Sequence, residues 1–198
     1  MSNQLANLKS FHLSSIMTEA KTNRGQKEGK RRDAPAILIS GFPGVGKSTL
    51  VSNPGNYILL DSDSSNFSWS NKEKRERNPD WPQNYLDHIK TNRDKVDGIL
   101  ISSHKEIRDA LVNAGVGFTL VYPALEMKNE YISRYVVRGS DLQFVELLEV
   151  NFETWIQELM TQQGCNHVVL QPGQYLSDVI GNILGEPTRS RLSTSDES

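Results

Sequence analysis

The chain has 198 residues, a length that fits one α/β domain with flexible ends and argues against a second full domain. Its 22 Lys and Arg residues against 24 Asp and Glu residues give a formal net charge of −2, which excludes the overall positive field of a dedicated nucleic-acid coat. The single cysteine, Cys165, excludes an intrachain disulfide and a cysteine-based zinc site, and no apolar run approaches the roughly 20 residues that span a bilayer. We expect a cytoplasmic protein with no membrane partner.

Both ends of the chain are polar and lack the apolar periodicity of the middle. Residues 1–34 end in a charge run from Lys27 to Asp33, which is typical of a solvated tail. A basic arm that contacts nucleic acid is the alternative. The sequence therefore predicts a domain over residues 35–184 between two disordered ends, 1–34 and 185–198.

In the middle of the chain, short β-rich runs alternate with helical stretches, a pattern typical of a parallel sheet covered on both faces. Most runs are continuous and apolar, as in strands buried on both sides. The sequence predicts a three-layer α/β fold with a five-stranded parallel sheet. The predicted strands are Ala36–Ser40, Tyr57–Leu60, Gly98–Ser102, Phe118–Tyr122 and His167–Leu170. The predicted helices begin near Gly46, Pro82, Lys105, Leu125, Leu142 and Leu176.

The first predicted strand runs into a glycine-rich segment that matches G-x-x-x-x-G-K-[ST] without a mismatch. Its glycines let backbone N–H groups and a helix N-terminus surround a phosphate closely. Lys47 is predicted to bridge the β- and γ-phosphates of ATP, and the Ser48 hydroxyl is predicted to bind Mg²⁺. The predicted ATP-binding residues are Gly41, Phe42, Pro43, Gly44, Val45, Gly46, Lys47, Ser48 and Thr49.

Acidic residues near the next two strands bear on metal binding. Asp61 and Asp63 follow the second strand, at the edge where open α/β sheets bind ligands, although a simple polar turn is the alternative. The third strand lacks the aspartate that ends a Walker B strand, and Asp97 stands at its beginning, the wrong edge. Asp61 is then the best candidate to support the metal, with Ser102 or Ser103 as helpers through water.

Two further segments hold candidate ligand contacts. Residues 64–92 contain aromatic and basic side chains that suit a mononucleotide or a DNA end, although a packed flap explains the tryptophans equally well. These side chains are Trp69, Trp81, Tyr85, Lys72, Lys74, Arg75 and Arg77. Arg134 and Arg138 lie four residues apart on a predicted helix, so they share a face that could clamp a phosphoryl group. The alternative is a solvated pair in which Arg134 binds Glu130.

The glycine-rich motif, the D-x-D of residues 61–63 and the arginine-bearing helix resemble the P-loop kinase superfamily, which includes shikimate kinase, polynucleotide kinase and the nucleoside monophosphate kinases. The resemblance covers roughly residues 36–184. It implies that Asp63 orients or deprotonates an acceptor hydroxyl, that Asp61 supports the Mg²⁺ shell, and that the arginine helix is a short lid. It also places adenine near residues 172–174. The catalytic residues that it implies are Lys47, Asp63, Arg134 and Arg138.

The resemblance implies an ATP- and Mg²⁺-dependent kinase for a nucleoside or nucleoside monophosphate, similar to small kinases of phage genomes. A kinase for a polynucleotide 5′ end or a modified base in DNA is one alternative, and a nucleotide-switched ATPase or binding protein is another. The missing Walker B aspartate argues against water activation, and Asp63 argues for an acceptor hydroxyl. The acceptor itself and the oligomeric state stay open.

Overall fold

The protein is described by a computed structural model that covers residues 34–71, 73–74 and 76–185. The predicted tails, 1–34 and 185–198, lie outside the described residues except for residues 34 and 185, and so do Lys72 and Arg75. The strands are β1 (Ile37–Gly41), β2 (Leu59–Ser62), β3 (Trp69–Asn71), β4 (Glu76–Arg77), β5 (Gly98–Ser102), β6 (Thr119–Pro123) and β7 (Asn166–Leu170). The helices are α1 (Lys47–Ser52), α2 (Ser65–Ser68), α3 (Gln83–Asn92), α4 (Lys105–Asn113), α5 (Lys128–Val137), α6 (Leu142–Met160) and α7 (Leu176–Leu184), and a 3₁₀ turn (Leu125–Met127) precedes α5.

Five strands form one all-parallel sheet in the order β2-β5-β1-β6-β7, flanked by helices. All five predicted strands are confirmed, and their observed starts differ from the predicted ones by at most two residues. In the central strand, Gly41 pairs with Ser102 on one side and with Val121 on the other. The carboxyl ends of the three middle strands therefore meet at one edge, and the glycine-rich loop leaves from their centre.

The middle strands are apolar because both of their faces are covered. The side chains of Leu38 and Ile39 in β1 are fully buried, as are those of Leu100 in β5 and Leu120 in β6. Burial falls at the edge strands, where β7 leaves residues such as Val169 partly exposed. The sheet is thus rigid under the loop that starts at Gly41.

The longest helix, α6, packs against the start of the glycine-rich loop and against α5. Asp141 caps it by accepting a hydrogen bond from the Gln143 amide at 2.7 Å. Its fully buried Phe152 packs edge-on against Phe42, with 6.0 Å between ring centroids, and against Tyr131 of α5 at 5.7 Å. One aromatic cluster thereby joins α6, α5 and the first residue after β1.

Two short elements were missing from the sequence prediction. Helix α2 and the antiparallel hairpin of β3 and β4 lie between β2 and α3, with Trp69 opposite Arg77. The hairpin is tied back by the Asn78 amide, which donates to the Ser68 carbonyl at 3.0 Å. Elements of two to four residues are too short to show a hydrophobic period.

Helix α1 has only six residues and ends at Ser52, directly before Asn53-Pro54-Gly55. Across the described part of the chain, no helix combines the length and the apolar character that a bilayer span requires.

Candidate functional site

The glycine-rich loop is fixed by hydrogen bonds to two other elements. The Phe42 amide donates to the Val121 carbonyl of β6 at 2.8 Å, and the Leu176 amide at the start of α7 donates to the Val45 carbonyl at 2.8 Å. Gly44 and Gly46 have φ angles of 86° and 98°, a region of backbone conformation that residues other than glycine rarely adopt. The motif therefore needs glycine at both positions for its backbone path alone.

Three tyrosines, none of them singled out from the sequence, pack directly on this loop. A Cβ atom added to Gly44 would lie 3.1 Å from the Tyr135 ring and 3.2 Å from the Tyr131 ring. A Cβ atom at Gly46 would lie 3.3 Å from the Tyr175 ring. Helix α5 and the segment before α7 thus pack against the glycines at contact distance, and the loop is confined on its outer side.

Lys47, the first residue of α1, is directed back into the loop. Its Nζ donates to the Gly41 carbonyl at 2.6 Å and to the Phe42 carbonyl at 3.3 Å. Burial lowers the pKa of Lys47 to about 8, although the negative charges of Asp61 and Asp63 favour the protonated form. An ammonium held this way has lost part of its hydration, and a bound polyanion would restore the stability of its charged form.

Ser48 and Asp61 lie together beside Lys47. The Ser48 hydroxyl donates to Asp61 Oδ2 at 3.2 Å, so the α1 terminus and the end of β2 meet as the prediction of a metal site requires. Burial raises the pKa of the Asp61 carboxyl, and the charge of Lys47 opposes that shift. Within the described residues, no group of three or more His, Cys, Asp and Glu side chains could hold a metal. Mg²⁺ needs no such cage, because it keeps several waters and takes one or two carboxylates plus substrate phosphates.

Asp63 is exposed and its carboxylate is oriented by its own turn. Oδ1 accepts from the Ser65 amide at 2.8 Å and Oδ2 accepts from the Ser65 hydroxyl at 2.9 Å. The polar turn raised as an alternative is therefore present, but each oxygen has a second lone pair and faces solvent. Buried Tyr85 fixes the residue between the two aspartates, since its hydroxyl donates to the Ser62 carbonyl at 2.6 Å.

The end of β5 confirms the expected positions of its polar residues. Ser102 lies beside the central strand and donates from its hydroxyl to the Ser64 hydroxyl at 2.9 Å. Ser103 follows, and its carbonyl accepts from the buried Arg108 side chain at 2.9 Å. Asp97 stands at the opposite edge, where it accepts from the Ile58 amide at 2.6 Å. His104 is the exposed N-cap residue of α4.

A cavity of about 1140 Å³ is lined by residues of the glycine-rich loop, of α5 and of the start of α6. It brings Lys47, Ser48 and Thr49 together with Arg134 of α5 and Arg138 directly after it, which are about ninety residues away in sequence. Its lining residues are Pro43, Gly44, Gly46, Lys47, Ser48, Thr49, Glu130, Ser133, Arg134, Tyr135, Val137, Arg138, Gly139, Ser140, Asp141, Phe144 and Tyr175.

The two arginines occupy different environments. Arg134 is only 11% exposed and binds both the Glu130 carboxylate and, at 2.9 Å, the Gln174 carbonyl. Its guanidinium stacks 3.8 Å from the centroid of the Tyr175 ring, and its Nε and Nη1 are buried without a hydrogen-bond partner among the described residues. The pairing with Glu130 raised from the sequence is thus present, but Arg134 is not solvated. Arg138 is exposed, and its charge lowers the pKa of Lys47, after the larger effect of burial.

The segment predicted to contact adenine is fixed to the same helix. The Gly173 amide donates to Glu130 Oε2 at 3.1 Å, and Gly173 has a φ of 81°. Glu130 therefore joins Arg134 to residues 172–174, a role that sequence reasoning missed. Tyr131 and Tyr135 lie four residues apart, and each precedes an arginine by three residues. This spacing was the signal in the sequence that could have indicated that α5 packs on the glycine-rich loop.

No protein-family model matches the chain, and a comparison with curated protein sequences finds no significant match.

The contacts of Gly44 predict a destabilising effect of a single methyl group. We expect Gly44→Ala to lower the free energy of unfolding by about 1–3 kcal/mol, because the added Cβ meets two tyrosines and the backbone conformation disfavours alanine. Urea unfolding monitored by circular dichroism measures the change. Two controls separate the causes: Gly115 has a φ of 65° but no neighbour within 4 Å, and Gly117 has neither constraint. A loss no larger than that of Gly115→Ala would show that the tyrosine contact is unimportant.

Proposed function

We propose that the chain is an ATP- and Mg²⁺-dependent phosphotransferase with the P-loop kinase fold, and that its acceptor is a nucleoside or a nucleoside monophosphate. The observation that supports this most strongly is the grouping of Lys47, Ser48 and Asp61 at the end of the central strand. The desolvated Lys47 ammonium lies near the Asp61 carboxylate, which accepts a hydrogen bond from the Ser48 hydroxyl. That combination suits a polyphosphate with a hard metal ion.

The roles of the loop residues follow from their chemistry. The backbone amides at the start of α1 would bind a phosphate, and Lys47 would offset the charge of the β- and γ-phosphates. Ser48 and Asp61 supply oxygen ligands or water-mediated contacts to Mg²⁺, which neutralises phosphate charge during transfer. The 3.2 Å contact between these two side chains leaves them close enough to share one ion.

Transfer to an acceptor suits the site better than hydrolysis. β5 ends in Ser102, a residue that cannot serve as a carboxylate base, and the accessible carboxylate at this edge is that of Asp63. Asp63 is prearranged by two hydrogen bonds and can take the proton that an acceptor hydroxyl releases. Arg138 is exposed and lines the same cavity as Lys47, which supports a role for it in stabilising charge on the moving phosphoryl group.

A transfer screen tests the proposal directly. Labelled ATP is offered with nucleoside monophosphates, nucleosides, sugars and 5′-hydroxyl oligonucleotides, and we expect label on a nucleoside or its monophosphate. Lys47→Ala should reduce the rate on the order of 10²-fold or more, because no neutral side chain replaces its charge. Lys95→Ala, an exposed lysine near the other edge of the sheet, is the control. More than half of the wild-type rate in Lys47→Ala would refute the assignment.

The pKa of Lys47 predicts a pH dependence of ATP binding. In the free protein this pKa is about 8, so the ammonium is increasingly deprotonated as the pH rises above 8. ATP favours the protonated form, and its affinity should therefore fall above pH 8, towards tenfold per pH unit. Isothermal titration calorimetry from pH 7 to 10 measures the slope. Lys47→Arg stays charged over this range and should give a flatter curve, so equal slopes would contradict the prediction.

The two aspartates should respond differently to the loss of charge. Asp63→Asn should lower kcat with ATP affinity nearly unchanged, because its partner is the acceptor hydroxyl. Asp61→Asn should instead raise the Mg²⁺ concentration that gives half-maximal activity, since the carboxylate bound to Ser48 is lost. Steady-state kinetics at varied Mg²⁺ separates these effects. Small and equal effects of both variants would reduce the D-x-D to a structural turn.

A further inference from the structure

A half-exposed group of aromatic and charged side chains is formed by the β3–β4 hairpin, the segment directly before α3 and the first turn of α4. We call Trp69, Arg77, Trp81 and Glu106 the tryptophan clamp. The Arg77 guanidinium lies 5.4 Å from the centroid of the Trp69 ring and 5.0 Å from that of Trp81. Glu106 binds Arg77 and also accepts from Trp81 Nε1 at 2.8 Å, so one carboxylate holds the cation and an indole in place.

The tryptophan clamp is joined to the residues that flank the proposed transfer point. The Trp81 ring packs on Tyr85 at 5.7 Å between centroids, and the Tyr85 hydroxyl binds the carbonyl between Asp61 and Asp63. His104, at the start of α4, is close enough to feel the charges of Arg77 and Glu106 in the tryptophan clamp and also those of Lys47 and Asp63. The clamp and the loop lysine therefore lie around the same stretch of the sheet edge.

The exposure and charge of the tryptophan clamp distinguish it from a simple hairpin core. The side chains of Arg77 and Glu106 are 44% and 56% exposed, and both indoles are only partly buried. The sequence of the hairpin, residues 70–77, contains four basic and two acidic residues in a chain whose net charge is negative. The tryptophan clamp is therefore open to solvent, and the sequence around it has more basic than acidic residues.

This combination matches a particular ligand chemistry. Indole rings and guanidinium planes bind nucleobases by stacking, which tolerates different bases because every base has a π face. Basic side chains nearby add attraction for a phosphate attached to the same nucleoside. A sugar without a base would leave the two indoles without a stacking partner.

We propose that the tryptophan clamp is the acceptor subsite and that it binds the nucleobase of the acceptor, with the base on the indoles and Arg77 at the attached phosphate. Glu106 acts as a positioning residue through Arg77 and Trp81. The inference rests on the proposed transfer function, since it identifies the acceptor of that reaction. The base can come from a free mononucleotide or from the end of a single-stranded oligonucleotide, and the experiment has an arm for each.

Tryptophan fluorescence tests the clamp without ATP. The chain contains three tryptophans, and Trp155→Phe removes the buried one on α6 as background. In that background we expect saturable quenching by deoxynucleoside monophosphates or by a short 5′-hydroxyl oligonucleotide, and none by ribose 5-phosphate. The tighter of the two nucleotide ligands identifies the source of the base. Trp69→Ala, followed through the remaining Trp81, should weaken binding about 10-fold, and Trp69→Phe should weaken it less because a ring remains.

Matched variants keep the inference falsifiable. Lys105→Ala removes an exposed charge next to Glu106 but outside the tryptophan clamp and should bind like wild type. If Trp69→Ala fails to fold by circular dichroism, Arg77→Lys replaces it and should weaken binding of the monophosphates several-fold, because lysine lacks the planar fork. Unchanged affinity in the folded variant, or equal quenching by ribose 5-phosphate, would overturn the inference.

The same measurement separates two kinds of failure. ATP is absent, so nucleobase binding at the tryptophan clamp does not depend on the glycine-rich loop. Loss of ATP binding or of transfer would contradict the proposed function and leave the fluorescence result standing. Transfer to a sugar, with no nucleotide quenching, would leave the phosphotransferase standing and remove the clamp as its acceptor subsite.

Discussion

The site depends on the close packing of tyrosine rings against the glycine-rich loop. A Cβ atom added to Gly44 would meet Tyr131 and Tyr135, and one added to Gly46 would meet Tyr175, at distances that require the rings to shift by a few tenths of an ångström. Packing at this distance fixes the loop from outside, while the sheet fixes it from below. Because the loop is confined before any ligand arrives, less conformational entropy remains to be lost on binding.

The polar contacts of the site build on that confinement. Lys47 is drawn back to the carbonyls of Gly41 and Phe42, and its neighbour Ser48 meets Asp61. A lysine in this position is both desolvated and near two carboxylates, and the balance of these effects brings its pKa to about 8. A single desolvated ammonium attracts an anion more strongly than an exposed one, so the proposed donor site needs few charged residues. For the same reason, a chain with a net charge of −2 can still favour a polyphosphate at this site.

Sequence reasoning predicted the sheet and the loop well because both have strong local signals. Buried parallel strands appear as continuous apolar runs, and the loop has a fixed pattern of residue types. The hairpin that holds Arg77 was missed because its strands have only three and two residues. The contact of Arg134 with the Gln174 carbonyl was also beyond prediction, since a backbone acceptor forty residues away has no side-chain signature. The assigned catalytic roles stay predictions.

The brevity of α1 has a thermodynamic consequence. The partial positive charge at a helix N-terminus comes from the unpaired N–H groups of its first turn, so six residues supply nearly the full effect. A helix this short has little intrinsic stability, and of its residues only Leu50 is buried. Its order must come from neighbouring segments and, in the proposed function, also from a phosphate bound at its first turn. Ligand binding and the local stability of α1 are thus linked, because a bound phosphate would stabilise a helix that is too short to be stable by itself.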